Sequence, residues 1–219
     1  MMHQANSLCD DFIEQDDVVK YLNSPYIERI MLYALGPNGT NIQQAAHKWA
    51  DSIGIKDKTD IVLCPSPDVE VELAMQETRP HIVPVFSLCA VYYDLCNIFF
   101  KYGSNYTFLS HLYMRLDGMQ LASKKDSIED ISPNALVSTH NSPSVLLENN
   151  NYRLVYANSN SEAAKMCYED AVEACITTES ARRIYGLKQN ISFGSPSMLF
   201  TFGTTQHGLK ELKKCNYTY

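Results

Sequence analysis

The sequence predicts an α/β protein with mostly parallel sheets, and three observations support this prediction. Apolar runs that are rich in β-branched residues and too short for helices recur along the chain. Segments with apolar residues at helical spacing follow several of these runs. The chain has 219 residues, of which 45% are hydrophobic, so it can bury a substantial core without metals or disulfides. Strands that alternate with helices favour parallel sheets with helices on their faces.

The first predicted strand and helix are joined by a glycine turn. The apolar run 30–35 stops at the turn 36–40, Gly-Pro-Asn-Gly-Thr, as a buried strand does when it enters a tight turn. Apolar residues at helical spacing then extend from Ile42 to Ile53, with Thr40 or Asn41 as the predicted N-cap.

Similar elements follow downstream. Ser142-Pro143 signals a helix start, because Ser can cap a helix and Pro fits its first position. Gly186 fits the left-handed residue that ends a helix. Further strands are predicted at 61–64, 81–85, 108–116, 135–138 and 154–156, and further helices at 68–76, 143–150, 161–171 and 178–185.

Charge and cysteine content exclude several classes of protein. The chain has 18 Lys plus Arg against 25 Asp plus Glu, a formal charge of -7, so it lacks a broad basic face for nucleic acid. This net charge is compatible with binding of a small anion, because a few local donors can hold a carboxylate. Seven cysteines without C-x-x-C spacing predict free thiols and no metal site. No signal peptide or membrane-spanning run is recognisable, so we expect a cytoplasmic protein without membrane contact.

Three turns that follow strands and precede helices are candidate binding segments: 36–40, 139–142 and 158–161. Each combines backbone N–H groups at a helix start with hydroxyl or amide side chains, so together they would suit carboxylates. Taken singly, each is more typical of an ordinary helix cap.

The order of several motifs adds information that no single motif contains. The motifs are 33–40 followed by Gln44-Ala45-Ala46, then 81–85 (His-Ile-Val-Pro-Val), 138–143 (Ser-Thr-His-Asn-Ser-Pro), 158–164 (Asn-Ser-Asn-Ser-Glu-Ala-Ala) and 174–187. In this order they resemble the prephenate dehydratase family over about residues 30–205.

That resemblance implies a two-lobed, periplasmic-binding-protein-like (type II) fold with a ligand cleft between mostly parallel sheets. The implied organisation is an acidic N-terminal arm (1–28), a prephenate dehydratase-like domain (29–206) with its second lobe at about 106–173, and a C-terminal tail (207–219). It also implies a small anionic, prephenate-like substrate and no cofactor, and it leaves open whether the chain forms a homodimer.

Two departures from the family pattern bear on the chemistry. Dehydratases have Glu-Asn where this chain has Phe86-Ser87, and they have a catalytic Thr-Arg-Phe where this chain has Ser197-Met198-Leu199. A dehydratase must expel the ring hydroxyl of its substrate. Met198 cannot polarise that hydroxyl as a guanidinium does, so the residues of this segment no longer support its expulsion. Decarboxylation alone would remain, in a site that desolvates the ring carboxylate.

A branch of the family, the prephenate decarboxylases of bacilysin and anticapsin pathways, resembles the chain most in 156–164 and 178–187. This resemblance predicts a cofactor-independent carbon–carbon lyase that makes dihydro-4-hydroxyphenylpyruvate for antibiotic biosynthesis. A dehydratase that makes phenylpyruvate and a non-catalytic binding module stay open as alternatives.

Candidate site residues follow from the helix starts and the resemblance. A lone His is more often structural, and a first-turn Glu also complements the helix dipole, so these roles are hypotheses. The candidate catalytic residues are Ser197, His140 and Glu179, and the candidate substrate-binding residues are Gly36, Asn38, Thr40, Ser87, Arg115, Ser142, Asn158, Ser159 and Ser161.

Overall fold

A computed structural model describes residues 15–92 and 94–215, with side chains from residue 17 onwards. The chain divides into a first unit, which runs to Met114 and resumes at Leu199, and a second unit, Arg115–Met198. The elements in chain order are α1 (Gln15–Asn23), β1 (Arg29–Leu35), α2 (Asn41–Ser52), β2 (Thr59–Cys64), α3 (Pro67–Gln76), β3 (Ile82–Cys89), α4 (Leu95–Tyr102), β4 (Tyr106–Arg115), β5 (Met119–Ser123), β6 (Leu136–Thr139), β7 (Arg153–Tyr156), α5 (Asn160–Tyr168), β8 (Ala174–Thr178), α6 (Glu179–Ile184), β9 (Lys188–Gly194), β10 (Ser197–Thr205) and α7 (Gln206–Lys214). Short 3-10 helices occupy Lys56–Lys58, Ile128–Asp130 and Ser142–Leu147.

The first sheet has the strand order β2-β1-β3-β10-β4. β1 runs parallel to β2 and β3, whereas β10 runs antiparallel to β3. Leu35 pairs with Cys64 and Tyr33 pairs with Phe86, so the carboxyl ends of β1, β2 and β3 meet at one edge. The turn that contains Gly36 therefore starts at the edge where open α/β sheets bind ligands.

Aromatic packing fixes the centre of the first unit. Trp49 of α2 stacks on Phe202 of β10, with ring centroids 4.3 Å apart. Phe86 is fully buried and meets Tyr106 edge to face at 5.2 Å. A Cβ at Gly203 would collide with the ring of Phe86, so glycine lets β10 pass this ring.

The two ends of the described chain also belong to the core of the first unit. Val18 and Leu22 of α1 and Leu209 and Leu212 of α7 are buried, and the two helices pack on each other. The predicted arm and tail therefore both include a packed helix. Residues 1–14 and 216–219 of those segments lie outside the described residues.

The second sheet has the strand order β7-β6-β8-β5-β9. β6 runs parallel to β7 and β8, and β5 runs antiparallel to β8 and β9. Separate apolar clusters form around Ala163 and Ala164 of α5 and around Leu121, Val137 and Ile176. The strands β5 and β8 are buried along their whole length, as expected for a sheet that is covered on both faces.

The α/β class is confirmed, and both sheets are mixed, with parallel strands flanked by antiparallel ones. The observed second unit differs from the predicted lobe at 106–173. Most of β4 belongs to the first unit, and the second sheet includes β8, which lies between β6 and β5, and β9, which pairs with β5. The helix predicted at 143–150 is the 3-10 helix Ser142–Leu147. No helix among the described residues is long and apolar enough to cross a membrane.

Candidate functional site

Most of the predicted site residues lie in the second unit, where several chain segments meet. β7, β6 and β8 are parallel neighbours, so the segments that follow them meet at one edge of the sheet. β5 starts at the same edge, because Met119 pairs with Thr178 at the end of β8. We call residues 117–118, 140–142, 158–161 and 178–180 the second-sheet edge.

The N-terminus of α5 offers free donors at this edge. Ser159 is the N-cap, and its hydroxyl accepts a hydrogen bond of 3.0 Å from the N–H of Glu162. The Glu162 carboxylate accepts one of 2.7 Å from the N–H of Asn158. Among the described residues, nothing accepts from the N–H groups of Asn160 and Ser161, and the Ser161 hydroxyl has no partner. This end of the helix can therefore bind an anion.

A buried acceptor lies next to these donors. The Asn160 side-chain oxygen is buried and has no hydrogen-bond partner among the described residues. The Thr177 hydroxyl donates to the Asn160 backbone carbonyl at 2.7 Å and holds the helix start against β8. An unsatisfied buried amide oxygen is costly, so a hydroxyl donor from a ligand would be stabilised here.

The segment after β6 departs from the expected capped helix. Asn141 occupies the N-cap position in helical conformation without a side-chain cap, and Ser142 is the first residue of the 3-10 helix. The prediction that Ser142 caps a helix is therefore wrong, because the residue before it is already helical. His140 lies at the edge, and burial lowers the pKa of its imidazole. His140 is thus neutral at pH 7 and can accept a proton.

The N-terminus of α6, by contrast, has its donors occupied. The Thr178 hydroxyl accepts from the N–H of Ala181 at 3.3 Å, and the Asp117 carboxylate accepts from the N–H of Ser180 at 2.7 Å. Glu179 begins the helix and forms an ion pair with Arg183 one turn later. A further carboxylate is therefore disfavoured here, where the edge already contains the acidic groups of Asp117 and Glu179.

Gly118 brings three segments into close approach. A Cβ at this position would lie 3.5 Å from the Ser195 hydroxyl oxygen and 3.7 Å from a carboxylate oxygen of Glu179. Asp117, Gly118 and Ser195 were not among the predicted site residues. The sequence did contain a signal, because Asp-Gly between two apolar runs is a turn dipeptide.

Arg115 and Ser197 flank a backbone hydrogen bond of 2.9 Å, which Leu116 N–H donates to the Pro196 carbonyl. Both side chains are exposed. The Arg115 guanidinium has no partner among the described residues. Arg115 and Ser197 are both predicted site residues, and their backbones lie close together. Ser197 follows Ser195 by two residues, and Arg115 precedes Asp117 by two.

The predicted site residues of the first unit are mostly engaged in its own structure. The N–H of Gly36 donates to the Cys64 carbonyl at 2.8 Å. The Thr40 hydroxyl donates to the Leu35 carbonyl and caps α2. Ser87 is fully buried, and its hydroxyl donates to the Tyr33 carbonyl. As the chain is folded, Ser87 presents nothing to a ligand, whereas Asn38 is exposed and has no side-chain partner in the described part of the chain.

Residues 15–92 and 94–215 contain no candidate metal site. No three His, Cys, Asp or Glu side chains in these ranges are placed to hold a metal ion. The six cysteines described there are free thiols.

Comparison with known proteins gives the family. A model of the prephenate dehydratase family matches residues 32–192, and no curated protein sequence matches the chain. Prephenate dehydratase from Staphylococcus aureus superposes with a TM-score of 0.52 at 12% identity, over 80% of this chain and 66% of that one. This chain thus spans just under two thirds of the staphylococcal protein.

Solved structures from other families share the fold. The periplasmic VFT2 domain of BvgS from Bordetella pertussis has a TM-score of 0.52 at 15% identity, over 88% of both chains. A pheromone cOB1 precursor/lipoprotein from Enterococcus faecalis has a TM-score of 0.53 at 12% identity, over 86% of this chain and 90% of that one. These likenesses confirm the predicted periplasmic-binding-protein-like fold class. Because the family model covers most of its length, the chain belongs to the prephenate dehydratase family.

Proposed function

We propose that the protein binds prephenate or a close analogue at the second-sheet edge and decarboxylates it without aromatising the ring. The observation that carries this proposal is the start of β10, where Ser197 is an exposed hydroxyl and Met198 is a half-buried thioether. Neither side chain supplies the positive charge that would help a hydroxide ion to leave the ring.

The proposed reaction breaks the bond between the ring and its carboxylate. Carbon dioxide leaves, the electron pair moves into the ring, and a ring carbon takes up one proton. The ring hydroxyl stays, so the product is dihydro-4-hydroxyphenylpyruvate and no cofactor takes part. The proposal includes a place for this reaction in specialised metabolism of the bacilysin type, in the cytoplasm.

The second-sheet edge and the start of β10 supply groups for each part of this substrate. The free N–H groups of Asn160 and Ser161 would hold the pyruvyl carboxylate. Neutral His140 would give the ring carboxylate no cationic partner, and loss of carbon dioxide is favoured when that charge is desolvated and unpaired. Ser197 would donate a hydrogen bond to the retained hydroxyl, and Glu179 would pass a proton from water to the ring carbon.

A dehydratase is the second candidate, and Arg115 favours it. Its guanidinium has no partner among the described residues, and its backbone lies close to that of Ser197, so Arg115 could take the place of the family arginine. A non-catalytic binding module is the third candidate, since a site that binds carboxylates does not by itself require catalysis.

Incubation with prephenate at neutral pH separates the three candidates. Mass spectrometry distinguishes the two products, because they differ by one water molecule. We expect enzyme-dependent dihydro-4-hydroxyphenylpyruvate and no phenylpyruvate above the spontaneous background. Enzyme-dependent phenylpyruvate would establish the dehydratase, and saturable binding without turnover would establish the binding module.

A further inference from the structure

A cavity of about 530 Å³ lies in the second unit, away from the second-sheet edge. Its walls come from the end of β5, the starts of β6 and β7, and the link between α5 and β8. The charged and polar residues that matter here are Lys124, Lys125, Asn134, Arg153, Asp170 and Glu173.

The cavity and the second-sheet edge are at opposite ends of the same strands. β6 runs from Leu136, which lines the cavity, to Thr139, which precedes His140 at the edge. Four extended residues separate the two places by about 13 Å. A ligand in the cavity would therefore leave the second-sheet edge accessible.

Unpaired positive charge distinguishes this cavity. Lys124 is paired with Asp170 at 2.7 Å, and the Glu173 carboxylate accepts from the N–H and hydroxyl of Ser132 at 2.9 and 3.1 Å. The Lys125 ammonium and the terminal nitrogens of Arg153 have no partner among the described residues. The acidic groups are thus engaged, while two cations stay available in a chain of net charge -7.

The geometry of Arg153 suits a carboxylate. Its Nε atom donates to the Asn134 carbonyl at 3.3 Å, which anchors the guanidinium and leaves its outer nitrogens for a two-pronged hydrogen bond. Apolar walls at Leu136, Ala171 and Val172 adjoin these charges. We propose that this cavity is a second binding site, for a small organic carboxylate with an apolar body.

Phenylacetate is a suitable probe, and amide shifts in ¹⁵N-labelled protein report where it binds. We expect saturable shifts at Lys125, Arg153 and Val172. The double variant Lys125→Gln plus Arg153→Gln should weaken that binding at least tenfold. The matched control is Lys48→Gln plus Lys210→Gln, which removes the same charge from exposed lysines without partners in the described residues and should leave the affinity within twofold.

Three results would overturn the proposal. Shifts confined to Asn160 and Ser161 would place phenylacetate at the second-sheet edge alone. Equal loss of affinity in the double variant and the control would indicate a general charge effect. Inorganic phosphate that binds the cavity as well as phenylacetate at equal ionic strength would exclude an organic carboxylate as the preferred ligand. If the double variant fails to fold, Lys125→Gln alone replaces it, with Lys48→Gln as control.

Discussion

Glu70 of α3 has a fully buried carboxyl group, and neither oxygen has a hydrogen-bond partner among the described residues. Burial raises its pKa well above the usual range, because the charged form loses its hydration. Since the folded pKa lies above the unfolded one, the folded state binds a proton that the unfolded chain releases. The resulting stability is complete below about pH 4.5 and is lost as the pH rises through the folded pKa.

Replacing Glu70 with Gln should therefore flatten the pH dependence of stability. Between about pH 5 and pH 8, the wild-type free energy of unfolding should fall more than that of Glu70→Gln. The difference should be about 1.4 kcal/mol for each pKa unit of the rise that lies in this range. Urea unfolding at several pH values measures it. Glu28→Gln, an exposed control, should follow the wild type. Parallel curves for Glu70→Gln and wild type would show that Glu70 is ionised in the folded state.

Ser197 provides a test of mechanism at the scale of one hydroxyl. If it orients the retained hydroxyl and gives up no proton, Ser197→Ala should slow the reaction about tenfold, which equals about 1.4 kcal/mol. The measurement is kcat for prephenate consumption, with Ser195→Ala as a neighbouring control. A loss of several thousandfold would identify Ser197 as a proton donor.

The helix α5 shows which features of an element the sequence predicts and which it does not. The Asn-Ser-Asn-Ser motif located the helix start within one residue, since hydroxyl caps and buried alanines mark it clearly. It did not specify which serine caps the helix, because Ser159 and Ser161 are chemically alike. The backbone path alone decides that Ser159 accepts from Glu162 and that Ser161 stays free.

Sequence analysis missed β5 and α7 for different reasons. β5 is buried on both faces, so no alternation of polar and apolar residues marks it. α7 has apolar residues at helical spacing, but Leu209 and Leu212 are its only large buried residues, and they lie in a lysine-rich segment that sequence analysis assigns to the tail. Missing β5 also hid Asp117 and Gly118, which approach Glu179 only because β5 pairs with β8. Long-range pairing of this kind has no local signal.

Replacing Ser159 and replacing Ser161, at the start of α5, should change different properties of the protein. Ser159→Ala removes the N-cap and should lower the free energy of unfolding by about 1 kcal/mol. Ser161→Ala removes no cap and should leave stability unchanged, but it should weaken prephenate binding by about 1 kcal/mol. Urea unfolding and calorimetric titration measure the two quantities. Unchanged affinity in Ser161→Ala would remove this helix start from the binding site.

For the molecule as a whole, the net charge opposes binding of the substrate, whereas local hydrogen-bond donors favour it. A chain of charge -7 repels a substrate with two carboxylates. Short-range donors must therefore supply the affinity, and the second-sheet edge concentrates them at one helix start while α6 has its own donors filled. Such a site can bind both carboxylates of prephenate only if one of them lacks a strong partner. That asymmetry favours loss of the ring carboxylate.

The ratio of products tests whether this asymmetry, together with the missing guanidinium, decides the reaction. Replacing Ser197 with Thr and Met198 with Arg restores the family pattern at the start of β10, where Ser197 is exposed and Met198 half-buried. The new guanidinium should polarise the ring hydroxyl and let it leave with carbon dioxide, so part of the product should become phenylpyruvate. Chromatography with mass detection measures the ratio of phenylpyruvate to dihydro-4-hydroxyphenylpyruvate. The Ser197→Thr single variant is the control and should keep the wild-type ratio. If the double variant stays active and still releases no phenylpyruvate, then the residues of β10 do not determine which product forms.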